Sequence, residues 1–129
     1  MQHDVVAAIV GDLDAELDDL PAVQQLLGAG WFDLGSHPAF CAAGPASTCW
    51  APGAGPRGSR RDYVLVGPAL LPAIVHFEVV RDPLFDTHAV LRWAVSPGRL
   101  RPSVRRLARP WEFPEACADP VDPVKQRAV

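Results

Sequence analysis

Two carboxylates one residue apart, Asp12 and Asp14, follow the apolar run Val5-Val6-Ala7-Ala8-Ile9-Val10. Side chains of an extended chain repeat every second residue, so this spacing predicts a pair that leaves the strand end into one cleft. Hard carboxylate oxygens can bind Mg²⁺ there or position a water nucleophile; in a loop they can equally cap backbone amides. Farther along, Asp62 opens the run Tyr63-Val64-Leu65-Val66, and Asp86-Thr87-His88 opens a second run that continues to Val95. An aspartate that holds a histidine fixes the tautomer of the ring and stabilises its imidazolium form. Asp62 and His88 both stand where strands begin, so their side chains meet if those strands pair in one sheet with a shared end.

Other candidates carry less. Gly53-Ala54-Gly55-Pro56-Arg57-Gly58 matches a dinucleotide-binding string. That chemistry needs a strand before the glycines and a helix N-terminus after them, so that amides point at a pyrophosphate. A proline inside the string and a strand after it predict a loop instead. His76 and Glu78 alternate on one strand face, which a solvated surface explains without a metal. His3 and His37 have no evident partners, and Trp50 and Trp93 read as packing residues.

The elements that position these groups follow from the apolar pattern. Val5 to Val10 predicts a strand buried on both faces. Asp18 or Asp19 is placed to cap a helix with Pro21 in its first turn, with Leu20, Val23 and Leu27 on one face and Gly28 as the stop. Trp31 to Leu34 reads as a short extended piece. Cys41 to Ser59, rich in Gly, Pro, Ala and Ser, reads as loop with a short strand at Thr48-Cys49-Trp50. Strands follow at Tyr63–Val66, Ile74–Val80 and His88–Val95, with a turn near Pro68 to Leu71. Val75, Phe77 and Val79 are expected on one face of the middle strand, and Ala89, Leu91, Trp93 and Val95 on one face of the last.

The 129 residues are 49% hydrophobic and 21% charged, which excludes a wholly disordered chain. The apolar runs are far shorter than the roughly 20 residues of a membrane-spanning helix, and no basic segment precedes the first run as in a secretory leader. Three cysteines, Cys41, Cys49 and Cys117, form neither a paired framework nor a zinc motif, so an intracellular setting is expected. The net charge of −3 is divided: residues 1–56 hold seven acids and no Lys or Arg, whereas residues 57–129 hold twelve bases against eight acids. An acidic half can gather divalent cations and a basic half can meet phosphate. Residues 97–129, with six prolines and the basic stretch Arg99 to Arg109, read as a linker or tail, with Pro102 able to start a short helix to Leu107.

In order along the chain, Ile9-Val10-Gly11-Asp12-Leu13-Asp14, Thr48-Cys49-Trp50, Arg60-Arg61-Asp62-Tyr63-Val64-Leu65-Val66 and Asp86-Thr87-His88-Ala89-Val90-Leu91 resemble the motifs of the endonuclease/exonuclease/phosphatase family. That family includes exonuclease III-like AP endonucleases, DNase I-like nucleases and the endonuclease domains of non-LTR retroelements. Its patterns at these places are G-D-[FL]-N, T-x-[WF], R-[IL]-D-Y and S-D-H. The resemblance covers residues 4–95. It implies that Asp12 orients or deprotonates the attacking water, that Asp62 partners the catalytic histidine, and that His88 is that histidine, in contact with the scissile phosphate. It also implies Mg²⁺ (or Mn²⁺) as cofactor and a nucleic acid or other phosphate ester as partner.

Two positions depart from the pattern. Asp14 stands where the family has a phosphate-binding Asn, and Thr87 stands where it has the metal-associated Asp. The resemblance further implies that the early Asn and the metal-binding Glu belong to an N-terminal half not included in residues 1–96. Residues 1–96 are thus expected to form the C-terminal half of the family's domain: α/β, a partial two-sheet α/β-sandwich, mainly antiparallel, with one flanking helix. Leu65, Phe77, Leu91 and Trp93 are expected to lose part of their cover. The function implied is that of a fragment of a Mg²⁺-dependent phosphodiesterase, foremost an endonuclease, impaired without the other half. The alternative is a non-catalytic remnant or interaction module. A further domain beyond the tail, as in a retroelement, is compatible with the Pro- and Arg-rich segment.

Overall fold

Asp62–Val66 is the strand around which the chain is arranged, with Tyr63, Val64, Leu65 and Val66 all buried. Alternate residues of a strand face opposite ways, so this segment needs cover on both sides and obtains it from two different layers. The computed structural model describes residues 6–53 and 55–100. Among them, strands are β1 (Ala8–Asp12), β2 (Phe32–Asp33), β3 (Asp62–Val66), β4 (Ile74–Val80) and β5 (Val90–Val95), with one α-helix, α1 (Pro21–Gly28). The fold is α/β, with two small antiparallel sheets: β1-β3-β2 and the β4-β5 hairpin.

Tyr63 and Leu65 pack with Val23 of α1, flanked by Leu17, Leu20, Leu27 and Trp31. Val64 and Val66 face the opposite way, into a core with Leu34, Leu70, Ala73, Ile74 and Phe77, against which Leu91, Trp93 and Val95 also pack. The β4-β5 hairpin therefore covers one face of β3 and α1 covers the other. Leu65 and Phe77, expected to be partly bare, are buried. The apolar exposure falls elsewhere, on Ile9, Val10, Val75, Leu84 and Phe85.

The strand expected to be buried on both faces is instead an edge. β1 starts at Ala8, pairs only with β3, and is exposed along its length, with Val10 at 53%. A continuous β-favouring run signals a strand but not which neighbours cover it. Neither Asp18 nor Asp19 caps α1: they lie in a preceding 3-10 turn, Leu17–Asp19, and Leu20 takes the cap position without a side-chain bond. α1 ends at Gly28, as expected, and Gly30, just past the cap residue Ala29, completes its termination. Gly30 adopts φ +96°, its N–H bonds to the Leu27 carbonyl, and the Trp31 N–H reaches back to Leu26. That is the left-handed termination for which glycine is favoured. In β4, an irregularity between Ile74 and His76 breaks the alternation, so Ile74 and Phe77 turn inward and Val75 turns out at 46% exposure.

Among the described residues no helix is long and apolar enough to cross a membrane. Met1 to Val5, the helix expected from Pro102 to Leu107 and the tail beyond residue 100 lie outside the described residues.

Candidate active site at the seam of the two sheets

Asp62 and His88 do meet, although their strands belong to different sheets. His88 Nδ1 lies 2.9 Å from Asp62 Oδ2 and 3.2 Å from Oδ1. The segment Thr48-Cys49-Trp50 makes this possible. Cys49 bridges to Ser59, which leads into β3, and to His88, which leads into β5. Ser59 and Cys49 exchange backbone hydrogen bonds, the Trp50 N–H donates to the Thr87 carbonyl, and the Ala89 N–H donates to the Thr48 carbonyl at 2.7 Å. The buried Thr48 side chain completes the strap, its Oγ1 accepting the N–H groups of both Arg61 and Asp62 at 2.9 Å. One strap thus fixes the backbone of the aspartate and of the histidine together.

Asp12 approaches from the other side. In the β1-β3 ladder it stands directly opposite Asp62, and its Oδ2 lies 3.9 Å from His88 Nε2. Its Oδ1 accepts the Asp14 N–H at 2.8 Å, closing a turn in which Asp14 takes φ +50°. Asp tolerates that conformation better than most residues. Asp14 consequently lies past the strand end, and the expected strand alternation with Asp12 does not hold. One ligand atom from each of Asp12, Asp62 and His88 falls within 4.8 Å of the others. The side chain of Asp62 is 15% exposed, while His88 and Asp12 are 40% and 48% exposed, so the group opens to solvent.

The imidazole is held above its ordinary pKa, first by the hydrogen bond to Asp62, against a smaller opposing effect of burial, and further by the charges of Asp62, Asp12 and Asp14. With Nδ1 engaged by Asp62, Nε2 is the ring atom left toward Asp12 and solvent. Such a ring can stabilise a developing negative charge or move a proton at Nε2.

The residues leading into β3 serve this site from behind. Asp33 is buried on β2 and accepts both guanidinium arms of Arg60, whose carbon sits 4.7 Å from the Tyr63 ring centre. A Cβ on Gly35 would collide with that guanidinium, so glycine is needed there. The Tyr63 hydroxyl lies 2.8 Å from the Ala15 carbonyl and 2.7 Å from that of Arg60, tying the Asp12–Asp14 loop to β3. Burial raises the pKa of that phenol.

Several sequence candidates fall away from the site. Gly53 and Gly55 occupy turns with positive φ, and Gly55 to Gly58 lead into the Ser59 bridge without strand or helix. Glu78 pairs with Arg92 across the hairpin at 2.8 Å and sits 3.5 Å from His76, on the solvated face. His37 packs edge-on against Phe32 and accepts the Ala39 N–H. Thr87 is exposed, with its carbonyl engaged by the strap. A concavity of about 600 Å³ lies beside α1, lined by Trp31, Arg60 and Tyr63 among others, and contains none of Asp12, Asp62 or His88.

Sequence reasoning missed two residues. Asp33, the buried partner of Arg60, lay in a two-residue strand with no signal beyond an acid among apolar neighbours. Cys49 places Sγ 3.9 Å from His88 Nε2. Period-2 alternation within Thr48-Cys49-Trp50 was the available signal: with Thr48 and Trp50 buried, Cys49 must face the other way.

No protein-family model matches the chain, and no curated protein or solved structure matches it.

Proposed function

We propose that this chain carries the histidine half of a metal-dependent phosphodiesterase site of the endonuclease/exonuclease/phosphatase type, acting on nucleic acid or another phosphate ester. The fold proposed is the C-terminal part of that family's two-sheet α/β-sandwich. The observation that carries the reading is the bridging of one imidazole between two aspartates, Asp62 at Nδ1 and Asp12 toward Nε2.

Asp12 is suited to take a proton from water as the water oxygen attacks phosphorus. Asp62 keeps the imidazole oriented and favours its charged form, so that Nε2 faces a phosphate oxygen on which negative charge develops. The bond from phosphorus to the leaving alkoxide breaks as the new P–O bond forms. The exposed Asp12 carboxylate, grouped with Asp62 and His88, would hold Mg²⁺, which takes one or two carboxylates and completes its shell with water and substrate oxygens. When bound, the ion supplies charge neutralisation at the phosphate. A bare Asp14 carboxylate would repel a phosphate, so Asp14 would tolerate substrate beside it only with a cation bound.

The second reading is a non-catalytic module. It is favoured by the concentration of anionic charge at Asp12, Asp14 and Asp62 around a single imidazole, which opposes phosphate in the absence of a cation. Cleavage of plasmid and of abasic-site DNA in Mg²⁺ separates the two. Under the first reading, cleavage disappears with EDTA, returns with Mg²⁺, and drops at least about 100-fold in His88→Ala and Asp12→Asn, as for loss of an acid–base group. A His88→Ala protein that cuts as well as the parent rules the assignment out.

A further inference from the structure

β1 is one border of the β1-β3-β2 sheet, and among the described residues no strand lies beside it there. The Leu13 N–H donates to the Arg61 carbonyl, and the Gly67 N–H donates to the Ala7 carbonyl. Hydrogen-bonded pairs of an antiparallel ladder recur at every second residue, so Ala7, Ile9, Gly11 and Leu13 bond toward β3. Ala8, Val10 and Asp12 therefore turn their N–H and C=O groups to the open side. From this edge we infer that two copies of the chain pair β1 against β1, antiparallel about a two-fold axis at Val10, into one sheet of six strands. The inference stands independently of the phosphodiesterase reading.

Proteins commonly blunt a bare edge with proline, lysine, a bulge or a very short strand. β1 has none of these: its sequence is Ala8-Ile9-Val10-Gly11-Asp12 and its register with β3 is continuous. The opposite border, β2, is only two residues long. β1 also leaves Ile9 41% and Val10 53% exposed, on opposite faces of the sheet. Length and charge select the register. Val10 is the midpoint of β1, so an axis there overlaps all five residues of both copies, whereas an axis at Ala8 overlaps the two strands at that residue alone. An axis at Asp12 would set two Asp12 carboxylates against each other, and like charges directly opposite destabilise a ladder. With the axis at Val10, each Asp12 stands opposite Ala8 of the second copy, and each Ile9 stands opposite Gly11. A Cβ on Gly11 would meet nothing within 4 Å, so the Ile9 side chain of the second copy has room beside it. The outward residues form three hydrogen-bonded pairs that exchange two bonds each. Such a contact uses the same patch twice and closes at two copies.

Analytical ultracentrifugation of the full chain over a range of concentrations tests this. The expected result is a species of twice the chain's mass that grows with concentration. Val10→Lys sets two ammonium groups face to face at the axis and is expected to be monomeric where the parent is dimeric. Val10→Pro removes the central N–H donors of the seam and none of the bonds to β3, since proline is tolerated where a strand's N–H faces solvent, and is expected to be monomeric as well. A gain of linkage guards against misfolded variants. Hydrogen-bonded partners in an antiparallel pair lie about 5.5 Å apart at Cα, within the span of about 4.4–6.8 Å that a disulfide bridges. Under mild oxidation Val10→Cys is therefore expected to join two chains through position 10, read by mass spectrometry of the linked peptides. Ala8→Cys, about 14 Å from its own counterpart in this register, is expected to stay unlinked at position 8. A parent chain that remains monomeric at every concentration, a Val10→Lys protein as dimeric as the parent, or linkage through position 8 in place of position 10 overturns the pairing.

Discussion

Asp12 and Asp62 stand directly opposite each other in the antiparallel β1-β3 ladder, and the His88 ring lies between their carboxylates. Like charges across a ladder repel. Here a residue from neither strand reaches both carboxylates, and the fold delivers it through the Thr48–Trp50 strap. His88 is thus in contact with both carboxylates of this junction, and in its protonated form it offsets their repulsion.

Asp62 is the main reason that the His88 pKa is raised. In Asp62→Asn the imidazole keeps a neutral hydrogen-bond partner and loses the charged one. An NMR titration is expected to place the parent His88 above the ordinary value of about 6.5 and to move it downward in Asp62→Asn. An unchanged midpoint would show that the short Nδ1 contact is not maintained in solution.

The same shift fixes the sign of a pH effect on stability. A histidine with a raised folded pKa binds its proton more tightly in the native state. Its contribution is complete below the unfolded value of about 6.5 and fades as pH rises through the higher folded one. Urea midpoints of the parent and His88→Gln are expected to differ most on the acid side of that window and to converge on the alkaline side. Divergence toward high pH would contradict the bridging geometry.

Thr48→Val keeps the shape of the side chain but leaves the N–H groups of Arg61 and Asp62 without their acceptor. Each unpaired buried donor costs about 1–3 kcal/mol. A large drop in melting temperature is expected, with a greater loss of cleavage than in an equally destabilised variant of α1 such as Val23→Ala.

Breaking the buried pair from one side, as in Arg60→Ala, strands the Asp33 carboxylate and is expected to cost about 3–5 kcal/mol. Arg60→Lys should rescue little, because the two-pronged geometry needs a guanidinium. Removing both partners should cost less than the sum of the single changes, which a double-mutant cycle on urea unfolding measures. Additive losses would mean that the pair contributes no coupling.

The parts of the fold visible in the sequence were those set by local pattern. The runs at β3, β4 and β5 and the apolar face of α1 each declare their period within a few residues. What the sequence concealed depended on partners distant along the chain. Val5 to Val10 and Tyr63 to Val66 look alike as strings, yet β1 is an exposed edge and β3 is enclosed, because α1 and the hairpin both close on β3. Asp12, Asp62 and His88 could be proposed together from their motifs, and a meeting of the latter two was expected on the condition that their strands pair in one sheet. The structure joins them through Thr48-Cys49-Trp50. The left-handed Asp14 escaped notice because a turn closed by its neighbour's side chain leaves no periodic trace.

The strap has a consequence for how the molecule assembles. Asp12, Asp62 and His88 are brought together from widely separated parts of the chain, so their encounter requires closing long loops, whose entropy must be overcome before any contact rewards it. Cys49 is the clasp between Ser59 and His88, so the site exists only after the hairpin has docked against β3. Its completion is expected to be a late, cooperative event. The amides of Trp50 and Ala89, which donate across that clasp, are the probes whose hydrogen exchange reports whether a given molecule has finished folding.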